Sequence, residues 1–182
     1  MAGRASERFV WAIETLEIRP TDRLLEIGCG HGVAVSLACE RLTTGTITAL
    51  DRSPKMIEMA TRRNRDCVDS GRAVLETVAL EDVDLGERRF DKVFAFNVAP
   101  FWLQPERALS GVRDHLDPDG AVYIFWDARH SAPERAGQLG NELAGRLREG
   151  GFSIDRLLVE DQLRPVPAVC AIGRPSPRNV SR

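Results

Sequence analysis

The chain has 182 residues, of which 43% are hydrophobic and 29% charged, and its formal net charge is −2. That length suits one α/β domain with a full core and excludes two generous ones. The small negative charge offers no basic field to a polyphosphate backbone, which disfavours nucleic acid, and no apolar run approaches the roughly 20 residues of a membrane span.

In chain order, Ser6 to Glu17 reads as a helix, with Phe9, Val10, Ile13 and Leu16 at helical spacing and Ser6 at the N-cap. Pro20-Thr21-Asp22 breaks it, and Arg23 to Ile27 forms a first strand. A glycine turn follows, then a helix over Val33 to Leu42 and a second strand over Thr44 to Asp51. Ser53 caps the next helix, with Pro54 at its first position. Ala73 to Leu80 is a third strand, and the near-continuous apolar run KVFAFNV suits a fourth, buried on both faces.

Pro105 to Leu116 is helical, Asp117-Pro118-Asp119-Gly120 reads as a turn, and AVYIFWD is a fifth strand. A helical pattern over Pro133 to Arg148 ends at Gly150-Gly151. FSIDRLLVE and PAVCAIGR are then joined by a stretch too short for a parallel crossover, so they pair antiparallel. Strand and helix otherwise alternate, which favours a parallel, doubly wound, Rossmann-like sheet finished by a hairpin. The reading is one domain over 1–174, with the helix at 6–17 as a candidate lid and 175–182 as a polar, disordered tail.

The start, MAGRASERFVW, has no apolar core of signal-peptide kind, so a cytoplasmic location is expected. The four cysteines (Cys29, Cys39, Cys67, Cys170) form no C-x-x-C pair. Neither a metal site nor a disulfide framework is expected, and reduced thiols are.

The informative stretch is LLEIGCGHG, with Gly28, Gly30 and Gly32 at alternate positions and Glu26 before them. Glycine lets a backbone take positive φ and approach a ligand closely, and the loop opens a helix whose free N–H groups favour an anion. The spacing G-x-G-x-G is one residue short of the G-x-G-x-x-G dinucleotide cradle, so an NAD(P)-linked oxidoreductase is the weaker reading. Asp51 ends the second strand; a helix-cap role for it is weakened because Ser53 already fills that place.

Together with FDKVFAFNV, LDPDGAVYIF and the closing hairpin, these features resemble the class I S-adenosylmethionine (SAM)-dependent methyltransferases from about Phe9 to Arg174. The resemblance implies a seven-stranded sheet whose last strand is antiparallel. It also implies that Glu26, Gly28, Cys29, Gly30 and Gly32 surround the methionine and ribose side of SAM, and that Asp51 accepts both ribose hydroxyls. Arg52 and Met56 would flank the adenine, with a core role as the alternative for Met56. Family members often carry Gly-Asp after the third strand, where this chain has Ala79-Leu80. Adenine recognition then falls to apolar packing, the Leu80 N–H, and Glu81 or Asp82.

Ligand crevices in α/β sheets lie beyond the carboxyl ends of the strands. Asn97 is therefore a candidate for a hydrogen bond near the methyl group, with Phe101 and Trp102 as substrate walls or as helix packing. The run NVAPFW is similar to the (D/N)PP(Y/F/W) motif of amine-directed nucleic-acid methyltransferases, with one extra residue and without the first proline. His31, Phe9 and Trp11 are candidate substrate contacts, with a solvated His31 as the alternative, and Asp127 with His130 is the one plausible acid/base pair, with a loop-surface role as its alternative. Methyl transfer chiefly requires alignment of three atoms, so no catalytic dyad is obligatory. A small-molecule acceptor is expected; a SAM-binding protein without activity is the principal alternative. Cys29 at the helix start has two readings, a lowered thiol pKa or small-residue packing.

Overall fold

A computed structural model of the chain describes residues 6–128, 133–164 and 166–177, and the side chains of 133 and 134 lie outside that description. Strands β1 (Arg23–Ile27), β2 (Thr46–Asp51), β3 (Ala73–Thr77), β4 (Phe90–Phe96), β5 (Leu116–Asp127), β6 (Phe152–Glu160) and β7 (Ala168–Pro175) form one seven-stranded sheet. Its order is β3-β2-β1-β4-β5-β7-β6. The first five strands run parallel, and β7 is antiparallel to both β5 and β6. The expected closing hairpin is therefore present, with its second strand inserted between β5 and β6.

Side chains alternate across the sheet and build a core on each face. Leu24, Phe94, Tyr123, Phe125, Cys170 and Ile172 face α1 (Glu7–Leu16), α2 (Val33–Cys39), α3 (Pro54–Arg63) and α4 (Arg65–Asp69). Leu25, Val93, Ala95, Val122, Ile124 and Val169 face α5 (Pro100–Leu103), α6 (Pro105–His115) and α7 (Pro133–Glu149). In β4, Val93, Phe94 and Ala95 are all at most 1% exposed, as a strand covered on both sides requires.

Several local expectations change. Ser6 occupies the N-cap of α1 in extended backbone, but its side chain makes no capping bond; Ser53 does cap α3, accepting from Met56 N at 3.4 Å. The Asp117–Gly120 stretch is not a separate turn. It is absorbed into β5, where Phe90 pairs with Leu116 while Lys92 pairs with Ala121, so the turn-forming residues bulge out between the two registers. Strand β3 stops at Thr77, and Leu80–Asp82 form a 3-10 turn instead.

The first residues of the expected tail are part of the fold. Pro175 pairs with Phe152, and Ser176 N donates to Gly151 O; residues 178–182 lie outside the described residues. The cysteines also require a correction, because Cys39 and Cys67 are joined in a disulfide. They are 28 positions apart in sequence, and their Cα atoms lie 6.4 Å apart where the end of α2 meets α4. Cys29 and Cys170 are free and buried.

Candidate active site

The glycine loop joins β1 to α2 at the carboxyl edge of the sheet. The amides of Gly28 and Cys29 both donate to Leu50 O of β2, at 2.8 and 2.9 Å, which folds the loop back over the neighbouring strand. Gly28, Gly30 and Gly32 all have positive φ, near 72°, 53° and 75°. At two of them space is also decisive. A Cβ on Gly28 would lie 2.5 Å from Val98 Cγ2, and one on Gly32 would lie 2.5 Å from Asn64 Nδ2 and 2.8 Å from Ala60 Cβ. Gly30 faces open space, with nothing within 4 Å of such an atom.

Asp51 organises this loop directly. Its Oδ2 accepts the Gly30 amide and its Oδ1 the Ser53 amide, each at 2.9 Å. Asp51 therefore does take part in capping, beside Ser53. Each carboxylate oxygen can accept about two hydrogen bonds, so both retain capacity for a ligand hydroxyl.

Glu26 lies on the same face of β1 as Leu24, among apolar neighbours, and is 2% exposed. Its Oε2 is buried without a hydrogen-bond partner. Burial, and then the nearby charge of Asp51, push its pKa up to about 8. A buried acid with an orphan oxygen under a ligand loop is suited to a cationic ligand group, which would satisfy the oxygen and favour its ionised form. Burial also raises the Cys29 thiol, reinforced by Glu26 and Asp51. The packing reading of Cys29 fits this environment; a lowered pKa does not.

A cavity of about 290 Å³ opens beside the loop, near the lower end for small-molecule sites. Ile27, Gly28, Asp51 and Arg52 form one side, Ala79, Leu80 and Glu81 another, and Phe96, Asn97, Val98, Ala99 and Pro100 the third. Of the adenine candidates, Arg52, Leu80 and Glu81 line it. Met56 is half-buried on α3, Asp82 is exposed, and neither is in the wall.

Beyond the cavity, β4 and β5 end in a polar cluster. Asn97 takes φ 56°, a left-handed conformation that asparagine tolerates better than most residues. It donates through Nδ2 to Asp127 Oδ2 at 2.9 Å, and its Oδ1 accepts the Asp127 amide at 2.8 Å. Arg8 of α1 completes the cluster, with Nη1 2.6 Å from Asp127 Oδ2 and its guanidinium over the rings of Phe9 and Phe96. Phe9 and Phe96 meet at 5.4 Å between ring centroids. Arg8 is a residue that sequence reasoning missed, since nothing local signals a partner 119 positions away.

The other aromatic candidates fall elsewhere. Phe101 is 1% exposed in the core beneath α5, not on a substrate wall. Trp102 stacks on Trp126 at 5.3 Å and lies under the guanidinium of Arg146 at 4.0 Å, on the α7 side of the sheet. Trp11 packs edge-on against Phe125 within the opposite core. His31 is exposed, and its carbonyl accepts from Arg63 Nε. His130 lies outside the described residues. No described helix is long and apolar enough to cross a membrane.

Comparison with known proteins agrees with this geometry. A family model described as a methyltransferase domain matches residues 25–122, from β1 into β5. The uncharacterized methyltransferase YdaC of Bacillus subtilis (strain 168) is 24% identical over 166 residues, covering 90% of this chain and 89% of its own length. Among solved structures, a SAM-dependent methyltransferase from Aquifex aeolicus superposes with TM-score 0.73 at 15% identity, over 90% of this chain and 88% of that one. The cyclase SpnF superposes with TM-score 0.77 at 17% identity, over 97% and 85%. At those identities the two structures establish the fold alone. With the family match spanning more than half the chain, and the sheet order and glycine loop in place, this protein belongs to the class I SAM-dependent methyltransferases.

Proposed function

We propose that the protein transfers a methyl group from SAM to a small-molecule acceptor that enters past Asn97 and Asp127. The observation that carries this reading is the donor set at the glycine loop: Gly28 and Asp51 line the cavity, and the buried Glu26 directly precedes Ile27 of its wall. A left-handed glycine loop, a strand-end carboxylate on that loop and a buried acid with an orphan oxygen match the carboxylate, ribose and ammonium of an amino-acid-tailed nucleoside. When bound, SAM supplies a sulfonium methyl group open to in-line displacement.

The chain's own residues then bind and orient. Free amides at the start of α2 face the methionine carboxylate, Glu26 the ammonium, and Asp51 the ribose hydroxyls through its remaining lone pairs. Leu80 and Glu81 border the adenine. Asn97, locked by Asp127 on both its amide atoms, presents a fixed edge toward the methyl group. The Arg8–Asp127 pair holds α1 across that end and, with Phe9 and Phe96, limits water access. Orientation of this kind supplies up to roughly 7–11 kcal/mol of a displacement barrier.

The test combines calorimetry with S-adenosylhomocysteine and labelled SAM turnover against metabolite, tRNA and peptide pools. Binding together with label in the metabolite fraction is the expected result. Binding without turnover in any pool would identify a SAM-dependent scaffold, and label only in tRNA or peptide would overturn the small-molecule acceptor.

A further inference from the structure

The Cys39–Cys67 disulfide joins the last residue of α2 to the middle of α4. Three positions earlier on each side, Ser36 Oγ donates to Asn64 Oδ1 at 2.6 Å. The disulfide and this hydrogen bond are thus successive rungs between α2 and the α3–α4 junction. The second rung continues into the glycine loop. Asn64 Nδ2 donates to Gly32 O, and Arg63 Nε to His31 O, each at 3.0 Å. Asn64 is 5% exposed, and Gly32 has no room for even a Cβ against it. A shift of α4 along α2 therefore reaches the loop without slack.

The two cysteines, Cys39 9% and Cys67 5% exposed, border a surface recess. A recess of about 620 Å³ is lined by Cys39 and Cys67 together with Arg62, Arg63, Arg65 and Arg72. Glu40 and Asp66 also line it, so four cationic side chains face two anionic ones. Arg62 and Arg65 reach Glu58 and Asp69 in exposed pairs, which are weak and readily exchanged. Arg72 Nη1 donates to the carbonyls of Cys39 and Leu42, placing a cation at the end of α2 beside the disulfide.

We propose that Cys39–Cys67 is a reversible redox site, opened by an anionic low-molecular-weight thiol that enters the arginine-lined recess, and that its opening loosens the glycine loop. The exchange takes two steps. A thiolate of the incoming thiol attacks one cysteine sulfur, forming a mixed disulfide as the Cys39–Cys67 bond breaks; the other cysteine leaves as a thiolate and takes up a proton. A second thiolate attacks the small-molecule sulfur of the mixed disulfide, releasing the oxidised small disulfide and the remaining cysteine as a thiolate, which is protonated in turn. Two electrons pass from the two small thiols to the protein. The guanidinium groups draw in the anionic reagent and stabilise the charge developing on the departing sulfur.

The test uses the full chain, air-oxidised and then treated under native conditions with reduced glutathione, with 2-mercaptoethanol as the uncharged comparison. Alkylation trapping and peptide mass spectrometry follow the bond, and hydrogen exchange follows residues 28–36. At matched thiolate concentration glutathione is expected to open the bond several-fold faster, an advantage lost in a double R62Q/R65Q variant. Opening is expected to speed exchange at 28–36 at least threefold, and Cys67→Ser should show that faster exchange with or without reductant. If the bond is absent after air oxidation, resists both thiols, opens with no preference for glutathione, or opens without a change in loop exchange, the proposal fails.

A further arm rests on the proposed cofactor: S-adenosylhomocysteine should bind three- to tenfold more weakly to the reduced protein, because the loop must then be ordered on binding. Unchanged affinity would remove the link to binding. If neither form binds while loop exchange still responds to reduction, the cofactor reading falls and the redox site stands.

Discussion

Replacing Glu26 by Gln tests the buried acid, the feature of the site with the largest energetic consequence. Burial first, and then the charge of Asp51, raise this group from an ordinary 4.5 to about 8. Between those values the folded chain holds a proton that the unfolded chain has released. Stability from this group is therefore complete below the unfolded value and is lost as pH rises through the folded one, at up to about 1.36 kcal/mol per pH unit. Across the interval the loss is roughly 3–5 kcal/mol. Glu26→Gln removes the titration, so the variant should gain on the wild type steadily from pH 5 to pH 8 in urea-unfolding midpoints. Parallel curves for the two proteins would refute the buried protonated acid. The same group gives a binding signature. An ammonium beside Glu26 favours its carboxylate, so S-adenosylhomocysteine binding at pH 7 should release up to about one proton. Calorimetry in buffers of different ionisation enthalpy reads this directly, and the release should vanish in Glu26→Gln.

Asp51→Ala frees the Gly30 and Ser53 amides and removes the proposed ribose acceptor, so S-adenosylhomocysteine affinity should fall at least tenfold, about 1.4 kcal/mol or more; near-unchanged affinity would take Asp51 off the ribose. Gly28→Ala meets both a left-handed backbone and Val98, and should cost about 2–4 kcal/mol. Gly30→Ala meets only the backbone penalty, about 1–2 kcal/mol, and equal losses in chemical denaturation would contradict the packing around Val98. Arg8→Ala breaks an ion pair whose carboxylate side chain is 2% and whose guanidinium is 27% exposed. A cost of about 1–3 kcal/mol is expected, with faster hydrogen exchange concentrated in α1. Exchange rising equally in α6 would mean that Arg8 does not hold α1.

How much of the site could be read in advance depended on the range of the physics. The left-handed turn at Gly28, Gly30 and Gly32 needs glycine wherever it occurs, so its spacing alone pointed to the loop and to the strand before it. The capping of α3 by Ser53 is equally local. The side proposed for adenine was only partly visible: Leu80 and Glu81 do line the cavity, but the shortening of β3 and the 3-10 turn that carries them were not signalled. Phe101 and Trp102 left two readings open, a substrate wall or helix packing, and only the tertiary structure puts Phe101 in the core and Trp102 against Trp126 and α7.

The sequence by itself determined the alternation of strands and helices, the closing hairpin, the glycine loop and the strand-end carboxylate. Each follows from backbone preference or from hydrophobic periodicity acting within a few residues. Tertiary structure alone decided the Arg8–Asp127 pair, the Cys39–Cys67 bond, the absorption of Asp117–Gly120 into β5, and the raised pKa of Glu26. Those depend on which distant segments share a surface and on how fully water is excluded there, and both emerge only when the layers close on one another.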